Sequence, residues 1–341
     1  MIVSPYTWTM ISRRWAVGAA VALLVGCGPA QVSPPVSTLS PGASPSPTPT
    51  PSPSPSPTAT PVPDDQLPLE FPVADSLLDS AAAVVEELHR AAAGLPVLKV
   101  DVTAQQATLT ALLPDESVRS YAWRDGLITH VDSDIQYLGQ ATFDPADYPI
   151  SSVPRMFAVA DLRGVRGELV LQVVEYREGQ VLMTVTSRPE TSTVFFRKDG
   201  TAVTTLGYTS VADITAGLVE VVGDGTALYG IGFNPTRGYW ADLTDDDPGV
   251  VLSRSRVGGV PVFETRRSET PAVATFSPDL LQPAALAQAI ARYQATPDQS
   301  CDVTVDMSHG RFAPVARFDC GGTVHFTDMA GRDMTDLLAA G

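Results

Sequence analysis

Residues 97–126 decide the fold, and they read VLKVDVTAQQATLTALLPDESVRSYAWRDG. Apolar side chains stand at every second position from Leu98 to Val102 and again from Ala107 to Leu113. This period of two is typical of β-strands with one covered face. The stretch ends in Asp125-Gly126, a dipeptide favoured in tight turns. It therefore predicts three antiparallel strands that present one face to a packed core.

The same pattern recurs twice further along the chain. Residues 97–126 align without gaps onto residues 171–200 and onto residues 302–331. Aromatic residues coincide in the third strand, and a glycine ends each copy; these positions are Tyr121, Phe195 and Phe326, followed by Gly126, Gly200 and Gly331. In the last copy the second strand is predicted to place four residues on the covered face, namely Phe312, Pro314, Ala316 and Phe318. Chance alternation in valine-rich strands is the alternative to a repeated unit.

A helical pattern precedes each copy. Apolar residues at helical spacing predict helices over residues 77–93, 153–162 and 283–293. A further helix over residues 211–222 leads into four strand-like segments, at 227–233, 239–243, 250–256 and 260–266, which form a diverged fourth unit. The sequence thus predicts an α+β fold made of tandem units, each with one helix packed on a three- to four-stranded antiparallel sheet, two units per domain.

Two cysteines mark one hairpin of the last unit. Cys301 and Cys320 lie symmetrically about a turn at Gly310-Arg311, so Val303 faces Phe318 across the hairpin. Directly opposed strand residues have Cβ atoms about 4.5–5.5 Å apart, within reach of a disulfide after slight adjustment. We predict a Cys301–Cys320 disulfide, with two buried unbonded thiols as the alternative.

The N-terminus has the layout of an export signal. Arg13 and Arg14 precede an apolar run from Trp15 to Val25, which is too short to span a bilayer. The run ends in Leu24-Val25-Gly26-Cys27, which resembles the bacterial lipobox. That resemblance implies a lipoprotein signal peptide at residues 1–26 and a diacylglycerol on Cys27, which would hold the mature chain on the outer face of the cell membrane. An ordinary secretory signal with an incidental thiol is the alternative.

A proline-rich spacer separates this anchor from the body. Ser44 to Pro57 alternates Ser or Thr with Pro, so every second residue lacks an N–H and has a fixed φ. Such a tract forms neither helix nor sheet, and residues 27–67 are predicted to be a lipidated, disordered spacer. The folded remainder is predicted to form two α+β domains of two repeats each, at residues 68–206 and 207–341.

Charge and composition exclude several classes of protein. The net charge is −16, and it becomes about −18 once the signal with its two arginines is removed. Such a chain repels nucleic acid and anionic lipid, so the predicted membrane contact is the acyl anchor. The sequence contains no run of 18 apolar residues, so it predicts no helix that spans a membrane. Lysine occurs only at Lys99 and Lys198, and this bias with abundant Ala, Pro and Gly is typical of a high-GC actinobacterium.

Clusters of polar residues give no catalytic assignment. Asp302 and Asp319 are predicted to face each other with Arg317 nearby, on a solvated sheet face shared with Asp306 and Ser308. His325 is predicted to point outward, and none of the histidines has the spacing of a zinc site. Asp245-Asp246-Asp247 is interpreted as a solvated loop, and four aromatics as core, at Tyr121, Trp123, Tyr239 and Trp240. We therefore assign no catalytic residue, metal or cofactor, and the ligand-binding residues stay unknown.

The order of elements from Leu77 to Leu337 loosely resembles PepSY-type domains and the beta-lactamase-inhibitor-protein fold. No family motif is matched residue by residue. The resemblance implies a noncatalytic module that binds or inhibits another extracytoplasmic protein. Two alternatives stay open: a carrier of a lipid or other apolar ligand, which requires a continuous apolar pocket between helix and sheet, and an uncharacterised hydrolase, which requires a cleft that joins groups such as Asp306, His309 and His325.

Overall fold

A computed structural model describes residues 59–338 with the exception of Glu178 and Pro297. The predicted signal peptide, the lipidated Cys27 and most of the predicted spacer lie outside the described residues. Within the described part, the last residues of the predicted spacer already contact the body. The backbone N–H of Val62 donates to the Ala91 carbonyl at 2.9 Å, and Asp64–Gln66 forms a 3-10 turn.

Two antiparallel sheets make up the body, which confirms the α+β class. The first sheet has eight strands in the order β1-β5-β4-β3-β2-β6-β7-β8. They are β1 (Leu69–Glu70), β2 (Val97–Val102), β3 (Gln106–Leu112), β4 (Val118–Arg124), β5 (Leu127–Val131), β6 (Glu168–Arg177), β7 (Gln180–Arg188) and β8 (Val194–Phe196). The second has seven strands in the order β12-β11-β10-β9-β13-β14-β15. They are β9 (Leu228–Asn234), β10 (Gly238–Thr244), β11 (Val250–Arg256), β12 (Phe263–Ser268), β13 (Cys301–Asp306), β14 (Val315–Cys320) and β15 (Thr323–Asp328).

The four longer helices pack on one face of each sheet, and a short fifth helix lies on the opposite face of the second sheet. They are α1 (Leu77–Ala91), α2 (Val153–Leu162), α3 (Val211–Val222), α4 (Pro283–Tyr293) and the short α5 (Thr335–Leu338). The first helix of each half begins at a serine, because the Ser76 and Ser210 hydroxyls accept hydrogen bonds from the N–H groups of Asp79 and Asp213. The predicted ends of α2, α3 and α4 are confirmed, whereas α1 ends two residues before the predicted Ala93.

The prediction of separate three- to four-stranded sheets is wrong. Strand β2 pairs with β6, where Val100 faces Val173, and β9 pairs with β13, where Ile231 faces Val305. The first strands of adjacent units therefore lie side by side, and each pair of units forms one continuous sheet. Pairing them removes two open edges with unsatisfied backbone groups. Alternation within a strand does not encode this contact, since it reports only which face is covered.

The isolated backbone bridges match between the two halves. In both halves a phenylalanine before a 3-10 turn bridges to the residue that begins the first strand after the first long helix, as Phe143 with Val97 of β2 and Phe276 with Leu228 of β9. Both halves close with a second bridge across six residues of chain, Phe196 with Ala202 and Thr327 with Asp333. The glycines that end the aligned copies have φ of +80°, +80° and +78° at Gly126, Gly200 and Gly331. The two halves therefore share these bridges and glycine conformations in the same order along the chain.

The predicted equivalence of the three strand-three aromatics holds for two of them. Phe195 and Phe326 both lie on the sheet face opposite the helices, where they form small clusters with Val203 and with Met334. Tyr121 instead lies in the core beneath the helices. The reason is the pairing register, because Tyr121 faces Leu109 whereas Phe195 faces Thr184, one position further along in the alignment.

An ion cluster around the buried Arg256 connects residues on both sides of the predicted domain boundary at 206/207, and the boundary itself stays a prediction. Glu220 on α3 contacts Arg256 at 2.8 Å and Arg197 at 2.7 Å. Arg256 is 1% exposed and also donates to the Thr204 carbonyl. Burial lowers the pKa of Arg256, while the charge of Glu220 opposes that shift.

Replacing Glu220 with alanine is expected to lower the free energy of unfolding by about 3 kcal/mol, because it leaves Arg256 buried without its carboxylate. Urea unfolding of the chain measures this change. The matched control is Glu86→Ala on α1, whose pair with Arg90 is exposed and whose loss is expected to cost less than about 0.5 kcal/mol. Equal effects of the two substitutions would show that the cluster contributes no more than a surface pair.

Candidate functional site

The hairpin of β13 and β14 has the predicted register. Cys301 faces Cys320, Val303 faces Phe318 and Val305 faces Ala316. The two cysteines form a disulfide with Cα atoms 4.2 Å apart, and both are at most 6% exposed. The prediction of this bond is confirmed. It closes the base of the hairpin, at the end opposite to the connecting loop.

The connecting loop, residues 307–314, is called the tip below. The Asp306 carboxylate accepts hydrogen bonds from the Ser308 N–H at 2.8 Å and from the Ser308 hydroxyl. Gly310 has φ of +62°, a left-handed conformation that glycine adopts without strain. The His309 ring lies edge-on against Phe326 with centroids 5.0 Å apart. These contacts hold the first half of the tip in a defined conformation.

Phe312 is the most exposed large apolar residue of the described chain, with a relative exposure of 107%. The prediction that Phe312 and Pro314 lie in a strand is wrong, because β14 begins only at Val315. A proline cannot donate to a strand ladder, and Pro314 is the sequence signal for this boundary that the alternation obscured. The tip therefore projects an aromatic ring, next to the exposed Arg311, into solvent.

Helix α5 lies against β15 on the outer face of the second sheet. The Phe326 N–H donates to the Thr335 hydroxyl at 3.1 Å, and the Met334 N–H donates to the Phe326 carbonyl at 2.8 Å. Phe326, Met334 and Val315 form a small apolar cluster. Leu337 of the same helix is 71% exposed. The tip and α5 thus both contact Phe326 and carry exposed apolar side chains.

Two hydrogen bonds hold the carboxylate of Asp333, which lies two residues before α5. The N–H of Thr335 donates to Asp333 at 2.8 Å and the Tyr293 hydroxyl donates to it at 2.7 Å. These hydrogen bonds lower the pKa of the Asp333 carboxyl to about 2. On the same outer face Arg317 contacts Asp319 at 3.1 Å, as the predicted neutralisation of the Asp302–Asp319 pair requires.

The groups that a hydrolase would need are not brought together. The prediction that His325 points outward is wrong, because its ring stacks on Tyr293 of α4 with centroids 4.1 Å apart and planes 2° apart. His325 faces Phe318 of the core in the strand register. His309 contacts Phe326 on the opposite face. The Asp306 carboxylate already accepts two hydrogen bonds from Ser308. Asp306, His309 and His325 therefore form no joint cleft.

The other polar and aromatic candidates have structural surroundings. Asp245 accepts a hydrogen bond from the Asp247 N–H and forms an ion pair with Arg266 at 2.9 Å. Both interactions lower the pKa of Asp245, the hydrogen bond more than the ion pair. The four aromatics interpreted as core are buried, with exposures of 0% for Tyr121, 6% for Trp123, 1% for Tyr239 and 8% for Trp240. Within residues 59–338, apart from the two omitted positions, no three His, Cys, Asp or Glu side chains are grouped so that they could hold a metal ion. In the same part of the chain no helix has the length and apolar character of a membrane span.

Two surface grooves occupy equivalent places in the two halves. One lies between α3 and the turn at Pro278–Leu280, with a volume of about 370 Å³, and the other between α1 and the turn at Pro145–Asp147, with about 250 Å³. Polar residues of the α1 groove correspond to apolar ones in the α3 groove, where Glu86 and His89 are replaced by Val219 and Val222. Both grooves lie between a helix and a turn, so neither is the continuous apolar pocket between helix and sheet that the carrier alternative requires.

Comparison with known proteins gives little further information. No protein-family model matches the chain, and no curated protein matches it. Among solved structures, the DNA polymerase III subunit beta from Pseudomonas aeruginosa aligns over 76% of this chain and 64% of its own at 12% identity, with a TM-score of 0.14. This chain therefore spans less than two thirds of that subunit. A likeness at that TM-score supports no conclusion about fold or function.

Proposed function

We propose that the chain is a noncatalytic module that binds or inhibits another extracytoplasmic protein. In this proposal a lipid on Cys27 anchors it to the outer face of the cell membrane, and the proline-rich segment after Cys27 holds the body away from the bilayer. The body consists of two domains of two repeats each, divided near residue 206. The export pattern at residues 1–26 supports the location, and the matching bridges of the two halves support the repeats.

One observation carries the proposed activity: a hairpin closed by a disulfide projects a fully exposed phenylalanine. Burying a Phe side chain that would otherwise face water is favourable by roughly 1.5–3 kcal/mol, so its full exposure leaves that free energy to be gained on binding. Interfaces gain most of their affinity from a few aromatic and arginine anchors that are already held in place. Phe312 and Arg311 on a closed hairpin have that character.

The location is tested with Cys27→Ser in full-length chain expressed in its native host. Wild-type protein is expected in the detergent phase of a Triton X-114 extract of membranes, and the variant in the aqueous phase or the culture medium. An unchanged partition of the variant would contradict anchoring through Cys27. The matched control is Ser33→Ala within the predicted spacer, which changes no anchoring group. Cys301→Ser is unsuitable as a control, because Cys301 is buried in the disulfide.

The activity is tested by photo-crosslinking on intact cells grown with photoreactive leucine and methionine. Amine-directed reagents are unsuitable, because Lys99 and Lys198 are the only lysines and Lys99 is ion-paired to Asp101 and Asp134. We expect the full-length chain to form a discrete adduct with one extracytoplasmic protein. Adducts with lipid alone would support the carrier alternative, and the absence of any protein adduct would overturn the proposed function.

A further inference from the structure

The geometry of the tip points to a specific way of binding. We propose that Phe312 inserts into an apolar pocket of the partner protein, that Arg311 pairs with carboxylates on the rim of that pocket, and that Leu337 of α5 covers its edge. This inference rests on the proposed function, and it adds the binding surface and the chemistry of the partner.

The first support is the fixed conformation of the tip. The disulfide closes the base of the hairpin, six register pairs connect β13 to β14, and the Asp306–Ser308 contacts fix the turn. His309 packs against Phe326, so the tip is also held from the side of β15. A side chain presented from such a scaffold loses little conformational entropy when it binds.

The second support is that two elements with exposed apolar side chains contact the same residue, Phe326. Phe312 belongs to the tip, and Leu337 belongs to α5, whose backbone follows directly from Met334. Both elements are seated on Phe326, through His309 and through Thr335. Phe312 and Leu337 are therefore carried by two elements that share Phe326 as a contact, and Phe312 is the more exposed of the two side chains.

The third support is the local charge. Arg311 is exposed, and among residues 59–338 other than the two omitted ones no carboxylate lies within ion-pair distance of it. An unpaired guanidinium beside a protruding ring therefore fits a pocket whose rim is acidic, because an arginine pairs with carboxylates through two parallel hydrogen bonds.

A protein pocket fits these features better than a lipid surface. Amphipathic segments that bind membranes combine several apolar residues with several basic ones. The tip has one protruding ring and one arginine, and the body has a net negative charge that anionic headgroups repel. Binding to lipid is therefore an outcome that the experiment must be able to detect.

The experiment places the photo-crosslinking residue p-benzoylphenylalanine at position 312 of the full-length chain, on intact cells of the native host. The control carries it at position 162, because Leu162 at the end of α2 is 85% exposed and far along the chain from the tip. We expect a discrete protein adduct from position 312 and at least a tenfold lower yield from position 162. Adding Arg311→Glu is expected to reduce the adduct at position 312 at least fivefold.

Each other outcome counts against the inference. Equal adducts from positions 312 and 162, or an adduct with lipid alone at position 312, would overturn it. A protein adduct from position 162 without one from position 312 would also overturn it, while the proposed binding function would stand. Both substituted positions are exposed, so circular dichroism and thermal unfolding that match wild type verify that neither variant has lost its fold.

Discussion

Replacing Gly217 with valine is expected to lower the free energy of unfolding by about 3 kcal/mol, at the upper end of the usual cost of overpacking a core. A Cβ at Gly217 would lie 2.4 Å from Cε1 of Tyr239 and 2.5 Å from its Cδ1. Tyr239 has no free space to move into, because it is 1% exposed and its hydroxyl donates to the Gly207 carbonyl. Urea unfolding measures the loss, and Gly217→Ala gives a milder test of the same overlap.

The correspondence between the strands of the two halves supplies the control for this prediction. The positions that correspond to Gly217 and Tyr239 in the first half are Val84 and Ala107, both fully buried. The large residue is on the helix in one half and on the strand in the other. The double variant Gly217→Val with Tyr239→Ala is therefore expected to lose less unfolding free energy than the two single variants added together, by at least about 2 kcal/mol. If the two losses simply add, the equivalence of these positions in the two halves is contradicted. As a surface control, Thr215→Val on the exposed side of α3 is expected to change the free energy of unfolding by less than about 0.5 kcal/mol.

Removing the disulfide by Cys301→Ala with Cys320→Ala is expected to destabilise the chain by about 3 kcal/mol. The bond spans 19 residues, and closing a loop of that length restricts the unfolded chain to this extent. The midpoint of urea unfolding should fall accordingly. Wild-type protein in excess reductant should approach the double variant, and it provides the control for the loss of side-chain atoms.

The contrary result would be an unchanged midpoint in the double variant. It would mean that the hairpin is held by its core residues alone, since Val303, Val305 and Phe318 are each at most 1% exposed. The tip would then be fixed without the bond. The proposed binding function would then not require an oxidising environment.

Much of the fold follows from local patterns in the sequence. Period-two alternation predicted the strands around Leu109 and Val303, and helical spacing predicted α3 and α4 to the residue. The symmetric placement of Cys301 and Cys320 predicted the register of a whole hairpin. These successes share a cause, because in each case the pattern depends on contacts within one element or between neighbours joined by a short turn.

The errors come from contacts that local patterns do not report. Pairing of β2 with β6 joins strands that are separated by an entire unit, so the merged sheets were missed. A shift of one residue in the pairing of β8 placed Phe195 on the other face than Tyr121, and the register of β15 turned His325 towards α4. Such a shift reverses every side chain of a strand while its alternation stays the same.

The candidate site was missed for a related reason. Phe312 continues an alternating pattern through Pro314 to Phe318, so it was predicted as a covered strand residue. Only the missing N–H of Pro314 indicated that the strand begins later. An exposed aromatic beside an unpaired arginine is a property of the surface, and it becomes visible once the start of β14 is known.

The most direct test of this account measures the affinity of the full-length chain for the protein that it crosslinks on the cell surface. Isothermal titration in detergent micelles compares wild type with Phe312→Ser and with the matched surface variant Leu162→Ser. We predict that Phe312→Ser weakens binding about 30-fold or more, which corresponds to a hot-spot loss of about 2 kcal/mol, and that Leu162→Ser changes it less than about twofold. Equal affinities of the three proteins would contradict binding through the tip.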